Sequence, residues 1–330
     1  MLDISVKKIA QLTGHQGSVF ALTQGRTPQH VLSGAGDGWI VEWDLANPEQ
    51  GQLLAKVDSN IFSLLYLSAD KRIVAGNMNG GVHFVDLENS LNTKNIQHHS
   101  KGIFDIQIIE NQLFTIGGEG NITRWSVEET RTIESLQISS KSLRCMDFSA
   151  ARKEIAVGAS DGNIYFLDLD LNLKRTIKTA HDNSVFSIKY TPEGNFLLSG
   201  GRDAQLKIWD LNAQKGQNTE GVLAEKMLLS SQSAHWFTIN SIAFHPNNPQ
   251  IFATASRDKT IKIWELPNGF NFNENKNLDN FEGATLLKVL DTVRDGCHIN
   301  SVNKLYWSDY QGVLISCSDD RSLIAWKINI

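Results

Sequence analysis

The sequence predicts an all-β fold assembled from repeated small sheets, and three observations carry that prediction. A frame of about fourteen residues recurs seven times along the 330 residues. A second landmark precedes each frame at a nearly constant distance. Between the two lie short apolar runs broken by turn residues, a pattern that suits strands rather than helices.

The frame is clearest in LSGAGDGWIVEWDL (32–45), FTIGGEGNITRWSV (114–127), LLSGGRDAQLKIWD (197–210), ATASRDKTIKIWEL (253–266) and ISCSDDRSLIAWKI (315–328). In each, Ser or Thr precedes an acid by four residues and Trp follows the acid by six. VAGNMNGGVHFVDL (74–87) and AVGASDGNIYFLDL (156–169) keep the frame but lose the Trp. The Trp-equivalent positions are Trp43, Val85, Trp125, Leu167, Trp209, Trp264 and Trp326, separated by 42, 40, 42, 42, 55 and 62 residues.

The upstream landmark is His15, His99, His181, His235 or His298, replaced by Val57 and Ser139 in the two degenerate copies. From landmark to acid position the counts in chain order are 22, 22, 20, 22, 22, 23 and 22. An apolar strand begins four residues after each landmark (VFALT, IFSLLYL, IFDIQII, LRCMDF, VFSIKY, INSIAF, VNKLYW). A turn follows, as in TPEGN, HPNNPQ and SDYQG, then a strand into the Ser/Thr position and a third that alternates into the Trp.

A period near 40–45 residues, with GH at 14–15 and WD at 43–44 and 209–210, resembles the WD-repeat β-propellers over essentially the whole chain. The resemblance implies one seven-bladed propeller over 1–330 with four antiparallel strands per blade. Copy seven runs out four residues after Trp326, and an unassigned strand, SVKKIAQL (5–12), precedes His15. The implied ring is therefore closed by residues 1–12 pairing into the last blade, which removes exposed sheet edges.

The resemblance also implies a hydrogen-bonded tetrad within a blade. The matching residues are His15, Ser33, Asp37 and Trp43 in blade one; His181, Ser199, Asp203 and Trp209 in blade five; His235, Thr254, Asp258 and Trp264 in blade six; and His298, Ser316, Asp320 and Trp326 in blade seven. Blade three carries His99, Thr115, Glu119 and Trp125, so its geometry must accommodate an extra methylene. Blades two and four lack the set and are expected to pack through apolar contacts. A Ser/His/Asp arrangement that occurs four times in one chain reads as scaffold, and no catalytic residue is assigned.

Composition narrows the function classes. With 41% hydrophobic and 20% charged residues the chain is globular, and its net charge of −5 without a basic block speaks against nucleic-acid binding. No apolar run is long enough for a membrane span and no secretory signal opens the chain, so a cytoplasmic location without membrane insertion is expected. Cys145, Cys297 and Cys317 read as buried thiols; a site at Cys297, His298 and Cys317 would want a fourth ligand. No metal and no cofactor are expected.

Function is then expected on the rims, where a monomeric ring docks a protein or peptide partner. The residues before the acid positions are Gly36, Met78, Gly118, Ser160, Arg202, Arg257 and Asp319. Arg202 and Arg257, extended by Lys259 and Arg321, form a cationic arc suited to an acidic peptide. Trp39 adds aromatic character, as do Trp236 and Phe237, which act either as partner contacts or as packing over a neighbouring blade. Insertions at 212–221 and 267–283, the second with Phe270, Phe272 and Phe281, are either docking loops or tolerated surface additions. The competing class is an enzyme or ligand-binding module using the central channel, with Asp105, Asp147 and Lys189 as its inward-facing candidates.

Overall fold

The computed structural model describes residues 4–213, 224–267 and 281–329. Over these residues the chain forms seven four-stranded antiparallel sheets arranged as the blades of a β-propeller. Blade one consists of Val19–Gln24, His30–Ala35, Trp39–Asp44 and Gly51–Lys56, running from the channel outward, and blades two to six repeat that order. Blade seven takes its inner three strands from Val302–Trp307, Val313–Ser318 and Ser322–Asn329. Its outermost strand is Ser5–Thr13, paired antiparallel with Ser5 opposite Asn329 and Thr13 opposite Ser322.

Burial explains the strand composition. The second strand of a blade lies between neighbouring sheets, so Glu154–Ala159, Phe196–Gly201 and Val313–Ser318 are buried at every residue and read as apolar runs. The fourth strand is an outer edge, so Arg131–Gln137 is polar and mostly exposed. No single centre holds the apolar core. It consists of seams between successive blades, such as Leu12, Val313 and Ile315 of blade seven against Val19, Val31 and Trp43 of blade one.

One glycine shows how tightly the seams close. A Cβ on Gly200 would lie 2.6 Å from Cγ2 of Ile239, the first residue of the next blade's inner strand. Gly34 makes the same approach to Ile61, which accounts for the glycine directly after Ser33 and Ser199.

Two expectations need correction. Blades two and four hold polar networks built from other residues. In blade four Ser139 and Tyr165 both donate to Asp161, at 2.6 and 2.7 Å. In blade two Asn77 donates to Nε2 of His83 at 2.9 Å, while its carbonyl oxygen accepts from the backbone of Asn79 and Gly81. The turn carbonyls and amides need a side-chain partner in every blade, and any suitable polar group satisfies them. The insertions at 212–221 and 267–283 lie largely outside the described residues. Phe270 and Phe272 fall there, while Phe281 packs half-buried against the seam that contains Phe252 and Trp264. The extra length after Trp264 also extends beyond 267–283, into a short helix, Thr292–Asp295, just before His298.

Ring closure gives the first prediction. Leu12 is 1% exposed in the seam between blades seven and one. Replacing it with Ala is expected to cost about 2–5 kcal/mol, read from the urea midpoint. Deletion of residues 1–12 should lower the melting temperature further, and an unchanged melting temperature would overturn the closure.

Candidate functional site

In five blades the structure brings the four tetrad residues together in one direction of hydrogen bonding. The Trp indole N–H donates to the Ser or Thr hydroxyl oxygen at 2.8–3.0 Å. That hydroxyl lies 2.7–2.9 Å from Nε2 of the His. Nδ1 of the same ring lies 2.8–3.0 Å from the Asp carboxylate in blades one, five, six and seven. In blade three it meets Glu119 instead, whose other oxygen is buried without a partner among the described residues. With Nδ1 protonated and Nε2 accepting from the hydroxyl, each group in the chain is used once.

The arrangement differs from a nucleophilic triad at the point that matters. Ser33, Thr115, Ser199, Thr254 and Ser316 are all 0% exposed, and each hydroxyl oxygen already receives an indole N–H. No substrate atom can approach a hydroxyl so enclosed. The carboxylate does a different task, because it also accepts from two backbone amides. Asp258, for example, takes the N–H groups of Trp236 and Thr260, both at 3.0 Å. Asp37, Asp203 and Asp320 do the same for Gln16 and Trp39, Asp182 and Gln205, and Ile299 and Ser322.

These bonds position the rim. In blades one, five, six and seven the residue after the tetrad His has its amide held inward by the carboxylate, which leaves its side chain outside. Trp236 is accordingly 86% exposed and Phe237 58%, so neither packs over a neighbouring blade. Ile299 occupies the matching place in blade seven at 62%. Trp39 is placed otherwise: it is half-buried against the Leu12 and Trp43 seam and offers only part of its ring.

The residue before each acid position is fixed by a second repeated bond, from its backbone N–H to the carbonyl just before the inner strand. Arg202 donates to Ser184 at 2.8 Å and Arg257 to Thr238 at 3.0 Å. Arg202, Arg257, Lys259 and Arg321 are all exposed, and none has a carboxylate partner among the described residues. Of the acids on the arc, Asp319 accepts from Asn303 and Asp182 is exposed.

Lys259 and Arg321 also hold an unusual backbone. The residue after the acid is Gly38, Gly80, Gly120 and Gly162 in blades one to four, all at positive φ. A Cβ on Gly38 would lie 2.1 Å from the carbonyl oxygen of Val57. Blades five, six and seven place Ala204, Lys259 and Arg321 there at φ 62, 73 and 68. A left-handed conformation disfavours residues with a Cβ by about 1–2 kcal/mol. Beside Lys259 and Thr260, a hollow of about 510 Å³ opens against Asp291, Thr292, Val293 and Arg294. Sequence reasoning missed this loop, although Asp291 as helix cap and Gly296 as left-handed stop were visible signals.

The channel candidates are tied into the ring. Asp105 accepts the amide of Met146 at 3.0 Å, and Asp147 accepts the Lys189 ammonium at 2.6 Å and the Tyr190 amide at 2.8 Å. They link blades three, four and five around a cavity of about 520 Å³. The three cysteines are buried free thiols, and burial pushes Cys297 up to about 12. Among the described residues, no cluster of His, Cys, Asp and Glu has the geometry of a metal site. No described helix is long and apolar enough to cross a membrane.

The tetrads make stability depend on pH. Burial holds His15 and His235 below the ordinary 6.5, despite their carboxylate partners. Burial opposes ionisation of Asp320, yet its bonds from His298 and Ser322 bring it down to about 2. In both cases the unfolded chain binds more protons, so stability is lost as the pH is lowered. The melting temperature is expected to drop from about pH 7 to 5 as the unfolded histidines protonate, and again below about pH 4. A flat profile above about pH 5 would overturn the neutral-imidazole assignment. Ser199→Ala strands His181 and the Trp209 indole, at a cost of about 1–3 kcal/mol for each group, measured by denaturant unfolding.

Comparison with known proteins agrees with this geometry. The family profile described as WD domain, G-beta repeat, matches residues 6–44, 172–210, 226–265 and 287–327. A probable cytosolic iron-sulfur protein assembly protein 1 from Candida glabrata is 30% identical over 159 residues, 48% of this chain and 41% of its own length. Protein HIRA of Dictyostelium discoideum is 28% identical over 44% of this chain and 12% of its own. Protein tipD of the same organism is 21% identical over 99% of this chain and 49% of its own. The chain thus spans at most about half the length of these relatives. The crystal structure of the WD40 β-propeller domain of Doa1 superposes with a TM-score of 0.78 over 98% of this chain and 97% of that one at 16% identity, which speaks to the fold alone. With four repeats matched by the profile and the other three blades in the same frame, the chain belongs to the WD-repeat β-propeller family.

Proposed function

We propose that this protein is a non-enzymatic docking scaffold whose rim over blades five to seven binds an acidic peptide segment of a protein partner. Proteins of this family generally serve as interaction scaffolds, and the identity of the partner class comes from the rim chemistry. The observation that carries the reading is the coincidence of two costs on one arc. Arg202, Arg257, Lys259 and Arg321 are exposed cations without counter-ions among the described residues, and Trp236 and Phe237 are exposed aromatics beside them. Neither is needed to hold the blades, and together they have the composition of a binding hot spot for carboxylates. The left-handed turns at Lys259 and Arg321 strengthen the argument, since a Gly at either place would relieve strain.

The enclosed tetrad hydroxyls and the engaged channel carboxylates favour docking over catalysis. The rim cations also place the chain's attraction for anions on one surface, where association is steered despite the overall negative charge.

Two experiments test the reading. The Arg202→Glu/Arg257→Glu double variant is expected to lose the partners that the wild-type protein retains in affinity purification with mass spectrometry, at an unchanged melting temperature. Retention of the same partners would refute the arc. Lys259→Gly and Arg321→Gly should each stabilise the fold by about 1 kcal/mol while weakening partner capture. Stabilisation without loss of capture would remove both side chains from the interface.

A further inference from the structure

We infer that the mouth of the central channel contains an anion subsite built on Arg144, which receives one carboxylate side chain of the acidic peptide. This rests on the docking reading above and adds the place where a charge of the peptide is read. Position two of the inner strand is Phe20, Phe62, Phe104 and Phe186 in blades one, two, three and five, and Arg144 in blade four. The rings form a belt: Phe20 meets Phe62 edge-on at 5.1 Å between centroids, and Phe62 stacks on Phe104 at 5.5 Å. The Arg144 guanidinium continues the belt, 4.4 Å from the Phe104 centroid and 5.3 Å from that of Phe186.

Stacking and one hydrogen bond fix this guanidinium. Its Nε donates to Ser160 Oγ at 2.8 Å, and among the described residues no acceptor bonds its two terminal nitrogens. A fork held in one plane with its outer edge free suits a carboxylate, because little side-chain freedom is lost on binding. Arg202 stands at the next rim station. Ser184, whose carbonyl accepts the Arg202 amide at 2.8 Å, reaches the Ser160 carbonyl with its hydroxyl at 3.5 Å. Burial, and also the nearby Arg202, disfavour the charge on Arg144. A half-buried cation beside a like charge and without a counter-ion destabilises the fold, whereas the Phe of four other blades would fill the place at no electrostatic cost. A hollow of about 580 Å³ lies alongside, lined by Phe62, Met78, Lys101, Phe104 and Arg144 among others, with room for an acidic side chain and its backbone.

Arg144→Phe tests the inference, because it restores the ring found in four blades and should keep the melting temperature at or above that of the wild type. A hexaglutamate peptide, titrated calorimetrically at low salt into the full chain, is expected to bind the wild type. It should bind Arg144→Phe about tenfold or more weakly, with Arg144→Lys in between. A hexaglutamine peptide should not bind. Equal affinity of wild type and Arg144→Phe, or no binding to the wild type, overturns the subsite. Preference for inorganic phosphate over hexaglutamate overturns the assignment of its ligand. Arg257→Glu, measured beside it, separates the two readings. Weakening in Arg257→Glu alone leaves the arc and removes the subsite; weakening in Arg144→Phe alone does the reverse.

Discussion

A single carboxylate in each complete tetrad ties together three pieces of chain that would otherwise be independent: the loop that enters the blade, the turn between its second and third strands, and the buried His. Asp203 accepts from His181 at 2.9 Å and from the amides of Asp182 and Gln205. The imidazole then passes the constraint inward, through Ser199, to the indole of Trp209, which is 1% exposed in the seam between blades four and five. Loop, turn and seam are thereby coupled by hydrogen bonds made in a low-dielectric interior, where each unmade bond is expensive. The same carboxylate decides what the rim presents, since the amide it holds belongs to the residue whose side chain faces solvent.

The blades do not all need this fastening in the same form. Blade two uses Asn77 and His83, and blade four uses Ser139, Asp161 and Tyr165. Their acid positions are followed by Gly80 and Gly162, which adopt the left-handed turn readily. The non-glycine residues in that turn occur in blades five, six and seven, all of which keep the complete tetrad. Strain at Ala204, Lys259 and Arg321 is thus set directly above the most fully bonded supports. A turn held by two amide–carboxylate bonds tolerates an unfavourable φ that a looser turn would relax, which is how a rim gains side chains that glycine cannot supply.

The frame was readable because it is enforced by geometry that repeats: strand alternation, the landmark-to-acid distance, and the Trp that must reach back to the Ser or Thr. The substitute networks were not, because His83 pairs with Asn77 across strands of one blade and has no counterpart in the others to set a spacing. Trp236 and Phe237 stood out as aromatics where blades one and five carry Gln16-Gly17 and Asp182-Asn183, but only the amide bond to Asp258 decides that Trp236 points outward. Arg144 carried a signal too, as the one cation in a column of four Phe, yet it sits inside an apolar strand and reads there as a stem that packs. That its guanidinium lies on two rings is a property of the closed ring, which brings blades three, four and five to one mouth.

Where the counter-ions lie sharpens the distinction between fold and function. Several cations elsewhere are matched: Arg26 with Glu42, Arg124 with Glu134 and Asp170, Arg175 with Glu154, Lys174 with Asp168. Exposed pairs of this kind contribute little to stability, but they leave little net field at the surface that carries them. Arg202, Arg257, Lys259 and Arg321 lack such partners among the described residues. A net charge of −5 therefore coexists with a positive arc, because the acidic excess resides elsewhere in the chain. Whole-chain charge argues about bulk solubility and non-specific attraction; recognition depends on where the unmatched groups are held. Here they are held by backbone bonds to the carbonyls just before the inner strands and by the tetrad carboxylates, so the interactions that order the rim also aim these cations at solvent.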